Sequence, residues 1–146
     1  MGKRATILFQ QTLPKEEKTL LRAFAAILVD DVLDGRTFTC LLSGDKQLQA
    51  LNRDFLKHDY PTDVLSFPAL DGNDLGEIAI SLERAIDQAA EQGHPPLDEL
   101  KILMLHGVLH LTGLDHETDK GKMRRSETKW RKALGLPGGL IERARR

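Results

Sequence analysis

Hydrophobic residues recur along the chain with two spacings, one typical of strands and one typical of helices. Short runs of strand-forming residues predict strands at 5–10, 37–42, 64–69 and 76–80. Apolar residues three and four positions apart predict helices over about 14–33, 45–55, 81–93, 95–112 and 119–134. Because strands and helices are mixed without strict alternation, we expect an α+β fold, with a small mixed four-stranded sheet packed against five or six helices.

Individual residues indicate where these elements begin and end. Asp45 and Ser81 are predicted helix N-caps, and Gly93 is predicted to end the helix that Ser81 begins. Pro68 has no amide hydrogen, so we expect either that its strand lies at an edge of the sheet or that Pro68 lies near the end of the strand. No linker is long enough to divide the chain, and residues 1–146 are expected to form a single domain.

The composition is that of an ordinary globular domain, with 40% hydrophobic and 29% charged residues. A net charge of −1 excludes a uniformly basic nucleic-acid-binding protein. No stretch of 18 uncharged apolar residues is present, so no membrane span is expected. The single cysteine, Cys40, has no partner for an internal disulfide, which fits a reducing compartment.

The balanced total charge hides an asymmetry along the chain. Residues 118–146 hold ten Lys and Arg against three Asp and Glu, a net charge of +7. Residues 1–117 hold eleven against nineteen, a net charge of −8. A basic segment of this kind can attract a phosphate backbone, although a solvated helix followed by a basic tail is the simpler interpretation.

Three of the five histidines lie in one short segment, H-G-V-L-H-L-T-G-L-D-H, from His106 to His116. His106 and His110 are four residues apart on an apolar helix and therefore share one face. Gly113 can adopt a left-handed conformation that turns the chain, so that His116 returns to the same point. Three converging imidazoles leave one tetrahedral position open, as in catalytic zinc sites.

One buried histidine is more often a satisfied core residue than a ligand. Two or three unpaired imidazoles in one apolar helix would be costly unless something bound them. We therefore predict one zinc ion per chain, with nickel, copper or iron as alternatives. Cys40 is too weakly placed in the pattern to be assigned as a ligand.

The spacing H-x₃-H-x₅-H, with a glycine between the second and third histidines, also occurs in metzincin proteases. Those enzymes carry a glutamate directly after the first histidine as the general base. Here that position is Gly107, which cannot accept a proton. The substitution argues against peptide hydrolysis.

The histidine segment resembles the signature of the YbeY endoribonucleases, H-G-x-L-H-L-x-G-[YF]-D-H, with Leu114 in place of the usual aromatic residue. The residues P-T-D-V-L-S-F-P at 61–68 match a second block of that family. Further similarities, within a resemblance that runs from about 48 to 134, are Leu51-Asn52, Gly76-Glu77-Ile78 and the pair Met123 and Glu127.

The resemblance implies an α+β fold, a zinc ion held by His106, His110 and His116, and a cytoplasmic location. It also implies cleavage of single-stranded RNA in ribosomal RNA maturation and ribosome quality control, with ribosomal RNA and the ribosomal subunit as partners. A water on the metal is the expected nucleophile or base. The sequence identifies no protein general base.

One departure from the family concerns phosphate binding. Family members usually carry an arginine four residues after the Asn of Leu-Asn, and here that position is Leu56. An arginine there would be a natural phosphate clamp. Basic side chains nearby or in the last helix are candidate RNA contacts, with plain solvation as the alternative: Arg53, Lys57, His58, Arg124, Arg125 and Lys129.

Three carboxylates are candidates for holding the metal-binding rings or for structural roles. A metal-bound imidazole usually donates its second N–H to a carboxylate or carbonyl, which Asp63 or Asp115 could supply. Each could instead be a turn residue. Glu127 lies on an apolar stripe with Met123 and Trp130, so it needs a partner, either in the metal-bearing loop or on an arginine.

The first functional hypothesis is therefore a metal-dependent endoribonuclease. The second is a metallohydrolase of another class, which the metzincin-like spacing supports and Gly107 opposes. The third is a zinc-stabilised, non-catalytic module that binds the ribosome or RNA, and the Leu56 departure favours it. Cleavage of single-stranded RNA by metal-loaded protein distinguishes these hypotheses.

Overall fold

The computed structural model describes residues 4–60, 62–69, 72–114 and 120–138. Over these ranges it contains four strands and five helices, which confirms the predicted α+β class. In chain order they are β1 (Thr6–Phe9), α1 (Lys15–Ile27), β2 (Thr37–Ser43), α2 (Asp45–Leu56), β3 (Val64–Pro68), β4 (Asp74–Ser81), α3 (Leu82–Gln92), α4 (Pro96–Leu111) and α5 (Lys122–Ala133).

The four strands form one mixed sheet in the order β1-β2-β4-β3. β1 and β4 each pair with β2 in parallel, and β3 pairs with β4 in antiparallel orientation. β3 is an edge strand, as Pro68 at its end predicts. The mixed four-stranded sheet expected from the sequence is confirmed.

The sheet has two faces that are covered differently. Phe38, Cys40 and Ile78 belong to the main core, in which α4 packs against β3 and β4 and α1 packs against α4. A second, smaller cluster forms where α2 covers the other face, around Leu48 and Leu65. α4 therefore lies against the sheet in the main core and is positioned by it.

The predicted helix ends are correct where the signal is local. The Ser81 hydroxyl accepts a hydrogen bond from the Arg84 amide at 3.2 Å, and Gly93 ends α3 in the left-handed conformation. The prediction for Asp45 is wrong, because the N-cap of α2 is Gly44. The Asp45 carboxylate instead accepts from the Ser81 hydroxyl at 2.7 Å, and so ties α2 to the start of α3.

Two predicted helices differ in extent from the observed ones. α1 ends at Ile27 and the chain continues as one π-helical turn over Leu28–Val32. The wider turn keeps Leu28, Val29 and Leu33 in the core. α5 begins at Lys122 after a left-handed Gly121, whereas the predicted start at residue 119 lies outside the described residues.

Cys40 is fully buried in the core on β2. Burial raises the pKa of its thiol to about 12, so the thiol stays protonated at neutral pH. A buried, protonated thiol is neither a metal ligand nor a nucleophile. Over the described residues, no helix is long and apolar enough to cross a membrane.

Gly76 allows β3 to pair closely with β4. Its φ is +128°, and a Cβ there would lie 2.3 Å from the Phe67 carbonyl oxygen and 2.7 Å from the Ala69 nitrogen. Neither backbone atom can move away without breaking the pairing of Gly76 with Pro68.

We therefore expect Gly76→Ala to lower the free energy of unfolding by about 3 kcal/mol or more. Gly35→Ala is the matched control, because Gly35 also has a positive φ, +84°, but a Cβ there meets nothing within 4 Å. We expect Gly35→Ala to lower the free energy of unfolding by only about 1 kcal/mol. Equal losses in urea denaturation would show that the contact with β3 is unimportant.

Candidate functional site

α4 carries the two described histidines of the motif, of which His106 is buried and His110 is half-buried. Eleven of its sixteen residues are buried, and His106 is one of them. The rings of His106 and His110 lie with centroids 4.8 Å apart and planes at 77°. The spacing of four residues thus places both imidazoles side by side, as the sequence predicts.

The His106 ring is held by a carboxylate from another helix. Its Nδ1 lies 2.7 Å from Oε2 of Glu127 on α5, and both side chains are buried. A carboxylate at this distance accepts the Nδ1–H, so the neutral ring has its lone pair on Nε2. Glu127, predicted to need a partner on its apolar stripe, has it in His106.

The His110 ring is held by the backbone. Its Nδ1 lies 3.0 Å from the carbonyl oxygen of Leu114. Gly113, at φ +98°, supplies the left-handed turn that follows α4 and precedes Leu114. A carbonyl can only accept, so His110 also carries its proton on Nδ1 and its lone pair on Nε2.

This arrangement fits a metal ion. Metal-binding histidines characteristically donate one ring N–H to a carboxylate or carbonyl and coordinate through the other nitrogen. Both described rings have that arrangement. His116, the predicted third ligand, and Asp115 lie outside the described residues, and among those described no group of three or more His, Cys, Asp or Glu converges. Metal binding therefore stays a prediction.

Gly107 allows α4 to lie close to the sheet. A Cβ there would lie 3.0 Å from Cγ2 of Ile78 and 3.3 Å from Cγ2 of Val64. The Ser66 hydroxyl donates to the Gly107 carbonyl oxygen at 3.1 Å. The position at which a metzincin carries its catalytic glutamate therefore packs against the sheet and cannot supply a base.

A cavity of about 410 Å³ lies beside the two histidines. The described residues that line it are Thr62, Asp63, Val64, Leu65, Ser66, Pro68, His106 and His110. The sequence predictions assigned no role to Thr62 and Ser66. The alternation of Val64, Ser66 and Pro68 along a strand was the signal available, because alternate residues of β3 share one face.

Asp63 lines this cavity, but its carboxylate makes structural contacts. Oδ1 accepts from the Val64 amide at 2.8 Å, and Oδ2 accepts from the Gln88 side chain at 3.1 Å. These contacts fix the start of β3 against α3. They are the contacts of a turn residue, and an orienting role toward a metal ligand stays a prediction.

The candidate RNA contacts near Leu56 are exposed at the end of α2. The Arg53 guanidinium pairs with Asp54 at 3.0 Å, and the His58 ring lies 5.5 Å from that of Tyr60. Lys57 is the left-handed C-cap of α2. None of these basic residues is among the described residues that line the histidine cavity.

The candidate RNA-contacting residues on α5 have different bonding partners. Arg125 donates from Nη1 to the Lys120 carbonyl oxygen at 3.3 Å, and the Lys129 ammonium lies 4.7 Å from the centroid of the Trp130 ring. Arg124 has its Nε buried without a hydrogen-bond partner. α5 thus brings a buried carboxylate and several cations to the same helix.

Comparisons with known proteins agree on one family. A family model described as Endoribonuclease YbeY matches residues 7–135. The Endoribonuclease YbeY of Solibacter usitatus is 51% identical over 139 residues, which cover 95% of this chain and 94% of the relative. That of Koribacter versatilis is 52% identical over 103 residues, covering 70% of this chain and 68% of the relative.

A solved structure extends the likeness to the fold. The solution structure of TM1509 from Thermotoga maritima superposes with a TM-score of 0.64 at 26% sequence identity, and the match covers 90% of this chain and 89% of that one. The family match spans both sequence blocks, the sheet and all five described helices apart from the first residue of β1. The chain belongs to the YbeY endoribonuclease family.

Proposed function

We propose that this protein is a metal-dependent endoribonuclease that cleaves single-stranded RNA, with ribosomal RNA maturation and ribosome quality control as its role. The observation that carries the proposal is the pair of imidazoles on α4. Their Nδ1 atoms are oriented by Glu127 and by the Leu114 carbonyl, and both rings line one cavity. The relatives' shared name, Endoribonuclease YbeY, supplies the reaction class.

The metal in this proposal is one zinc ion per chain, held by His106, His110 and His116. Neutral imidazoles suit zinc, and three protein ligands leave one position for substrate or water. When bound, the ion supplies Lewis acidity to a phosphate oxygen and lowers the pKa of water.

The residues of the cavity suit a ribose and a phosphate. The Ser66 hydroxyl donates its hydrogen bond to the Gly107 carbonyl oxygen at 3.1 Å. Toward the cavity, the Ser66 oxygen can therefore act only as an acceptor. An RNA 2′-hydroxyl can donate to such an acceptor, which a deoxyribose cannot do. Ser66 would thus position the ribose.

The partners and the location follow from charge and redox chemistry. The net +7 of residues 118–146 suits an RNA phosphate backbone, and the ribosomal subunit is the proposed source of that RNA. The single, buried Cys40 is compatible with a reducing cytoplasm. Cytoplasmic ribosomal RNA is therefore the proposed substrate.

Cleavage of a labelled single-stranded RNA by the zinc-loaded protein tests the proposed function. We expect cleavage of single strands, little cleavage of the same sequence as a duplex, and loss of activity in His110→Ala at unchanged RNA affinity. Thermal unfolding of His110→Ala checks that the variant folds. Binding without metal-dependent cleavage would favour the non-catalytic module, and hydrolysis of a peptide or ester substrate would favour another class of metallohydrolase.

Metal content tests the ligand set separately from activity. We expect one zinc per purified chain, and His106→Ala, His110→Ala and His116→Ala should each weaken binding by several kcal/mol, on the order of 3. Elemental analysis and competition with a zinc-binding dye measure this. Stoichiometric zinc in all three variants would contradict the assignment.

Glu127→Gln should weaken zinc binding about 10- to 100-fold, because an amide cannot support the His106 ring with a charge. Glu99→Gln is a matched control. Glu99 is also fully buried and also pairs with a histidine, His94, at 2.7 Å, but neither residue lines the histidine cavity. Both variants should lose thermal stability, and only Glu127→Gln should lose zinc affinity. Equal zinc affinity in the two variants would show that Glu127 contributes to packing and not to zinc binding.

A further inference from the structure

A groove of about 490 Å³ lies on the α2 face of the sheet, the face opposite to the one that packs on α4. α2 packs against β3 and β4. Leu8, on the edge strand β1, is 51% exposed on this face. Residues of both α2 and β1 line the groove, so it runs between them across β2 and β4.

The strand pairing arranges the floor of the groove in rows. Leu8 and Leu41 are register partners in one row. In the next row, Glu77 on β4 lies between Thr39 on β2 and Phe67 on β3. Residues two apart on a strand share a face, so both rows point toward α2. An apolar row therefore lies beside a row that carries a carboxylate.

The walls of the groove are mostly apolar and partly exposed. Phe55 on α2 is 67% exposed, and its ring meets that of Phe67 edge to face with centroids 5.9 Å apart. Exposed apolar surface of this kind, gathered in one concave place, is typical of an interaction site. The apolar residues with side chains on this face are Leu8, Leu41, Leu51, Phe55, Phe67 and Ala79.

Glu77 is the charged member of the described groove lining. Its side chain is exposed, and within the part of the chain that the structure describes its carboxylate forms no ion pair. A ligand that covers the apolar walls also covers this carboxylate. Covering a carboxylate is unfavourable unless the ligand places a cation on it. The groove therefore selects a ligand that is apolar and carries a positive charge.

Charge favours a protein segment over RNA as that ligand. The described lining holds no Lys or Arg, and its carboxylate repels a phosphate backbone. The lining lies entirely between residues 8 and 79, in the part of the chain whose net charge is −8 over residues 1–117. Such a surface attracts a basic partner. β1 is an edge strand, along which an extended segment can lie.

We propose that this groove binds a segment of a basic protein in which apolar residues flank an arginine or lysine. The cation lies on Glu77, and the apolar side chains pack against Phe55 and Leu8. The inference goes beyond the proposed function and does not depend on it, because the groove and the histidine cavity lie on opposite faces of the sheet. It gives a role to Glu77, which the proposed nuclease does not use.

The experiment uses the full-length protein, with peptides as the probe. Short random peptides displayed on phage are selected against the immobilised protein. A selected peptide is then synthesised with a fluorescent label, and its affinity is measured by anisotropy. Amide signals of the isotope-labelled protein show by NMR where the peptide binds. The variants are Glu77→Lys and Phe55→Ser, and thermal unfolding checks that each of them folds.

Each variant has a matched control outside the groove lining. Glu91→Lys makes the same change in net charge as Glu77→Lys, because Glu91 is also exposed and forms no ion pair among the described residues. Ile86→Ser is matched to Phe55→Ser, because Ile86 is also an apolar helix residue and is 47% exposed.

We expect the selected peptides to combine apolar residues with Arg or Lys and to lack Asp and Glu. Glu77→Lys should weaken binding about 10-fold or more, because the peptide cation then meets a like charge. A peptide with Glu in place of its cation should prefer Glu77→Lys to the unaltered protein. Phe55→Ser should also weaken binding about 10-fold, through loss of apolar contact. Each control should change the affinity less than about threefold.

Selection of no peptide, or equal affinity of Glu77→Lys and the unaltered protein, would overturn the proposal. Glu77 would then be a charge that keeps an apolar sheet face soluble. Phe55→Ser tests the groove independently, at an exposed position, if Glu77→Lys does not fold. The measurement needs no RNA cleavage, so its failure is distinct from failure of the proposed nuclease.

Three other occupants of the groove would each overturn the proposal as well. Displacement of the peptide by single-stranded RNA, with shifts of the same amide signals, would assign the groove to RNA. A dimer that is lost in Phe55→Ser would assign it to a second copy of this chain. Tighter peptide binding after removal of residues 139–146 would assign it to the chain's own end.

Discussion

Helix α4 is buried on nearly every side, and this burial obliges each polar side chain on it to find a partner within the protein. His106 meets that requirement with Glu127 of α5, at 2.7 Å, and Glu99 meets it with His94. The first of these contacts does two things at once. It fixes the position of α5 against α4, and it sets which nitrogen of His106 carries the proton. One interaction therefore serves both to pack α5 against α4 and to orient the His106 ring.

The second constraint is the close packing of α4 against the sheet, which requires a glycine at position 107. A side chain at 107 would press on Ile78 and Val64, so the helix can lie this close only without one. Close approach brings the Ser66 hydroxyl within 3.1 Å of the helix backbone and makes β3 a wall of the histidine cavity. For the same reason, residue 107 cannot carry the glutamate that serves as general base in metzincins. A chain built in this way has to activate its nucleophile without a base next to the first histidine.

Much of the fold could be predicted because its signals are local. The four strands, the cap at Ser81 and the stop at Gly93 each follow from a few neighbouring residues, as does the shared face of His106 and His110. What could not be predicted depends on contacts between distant segments. Asp45 has the type and position of an N-cap, yet its carboxylate bonds to Ser81, 36 residues away, and no local pattern contains that contact. The Ser66–Gly107 bond, between residues 41 apart, has the same origin. At the site, the sequence indicated that Glu127 needed a partner, and the fold determined that the partner is His106.

The two described imidazoles are oriented by acceptors of different kinds, and this difference links the site to the end of the chain. His110 depends on the Leu114 carbonyl, which follows it directly on the turn made by Gly113, so its orientation is a local property of α4. His106 depends on a charged carboxylate that lies 21 residues further on. The contact that holds His106 is thus charged and joins two helices, whereas the contact that holds His110 is neutral and local. The His106 contact exists only while α5 is docked on α4. Because α5 also carries six cations, whatever holds those cations in place also holds the carboxylate that orients His106. The placement of these cations and the orientation of His106 therefore depend on the same docked helix.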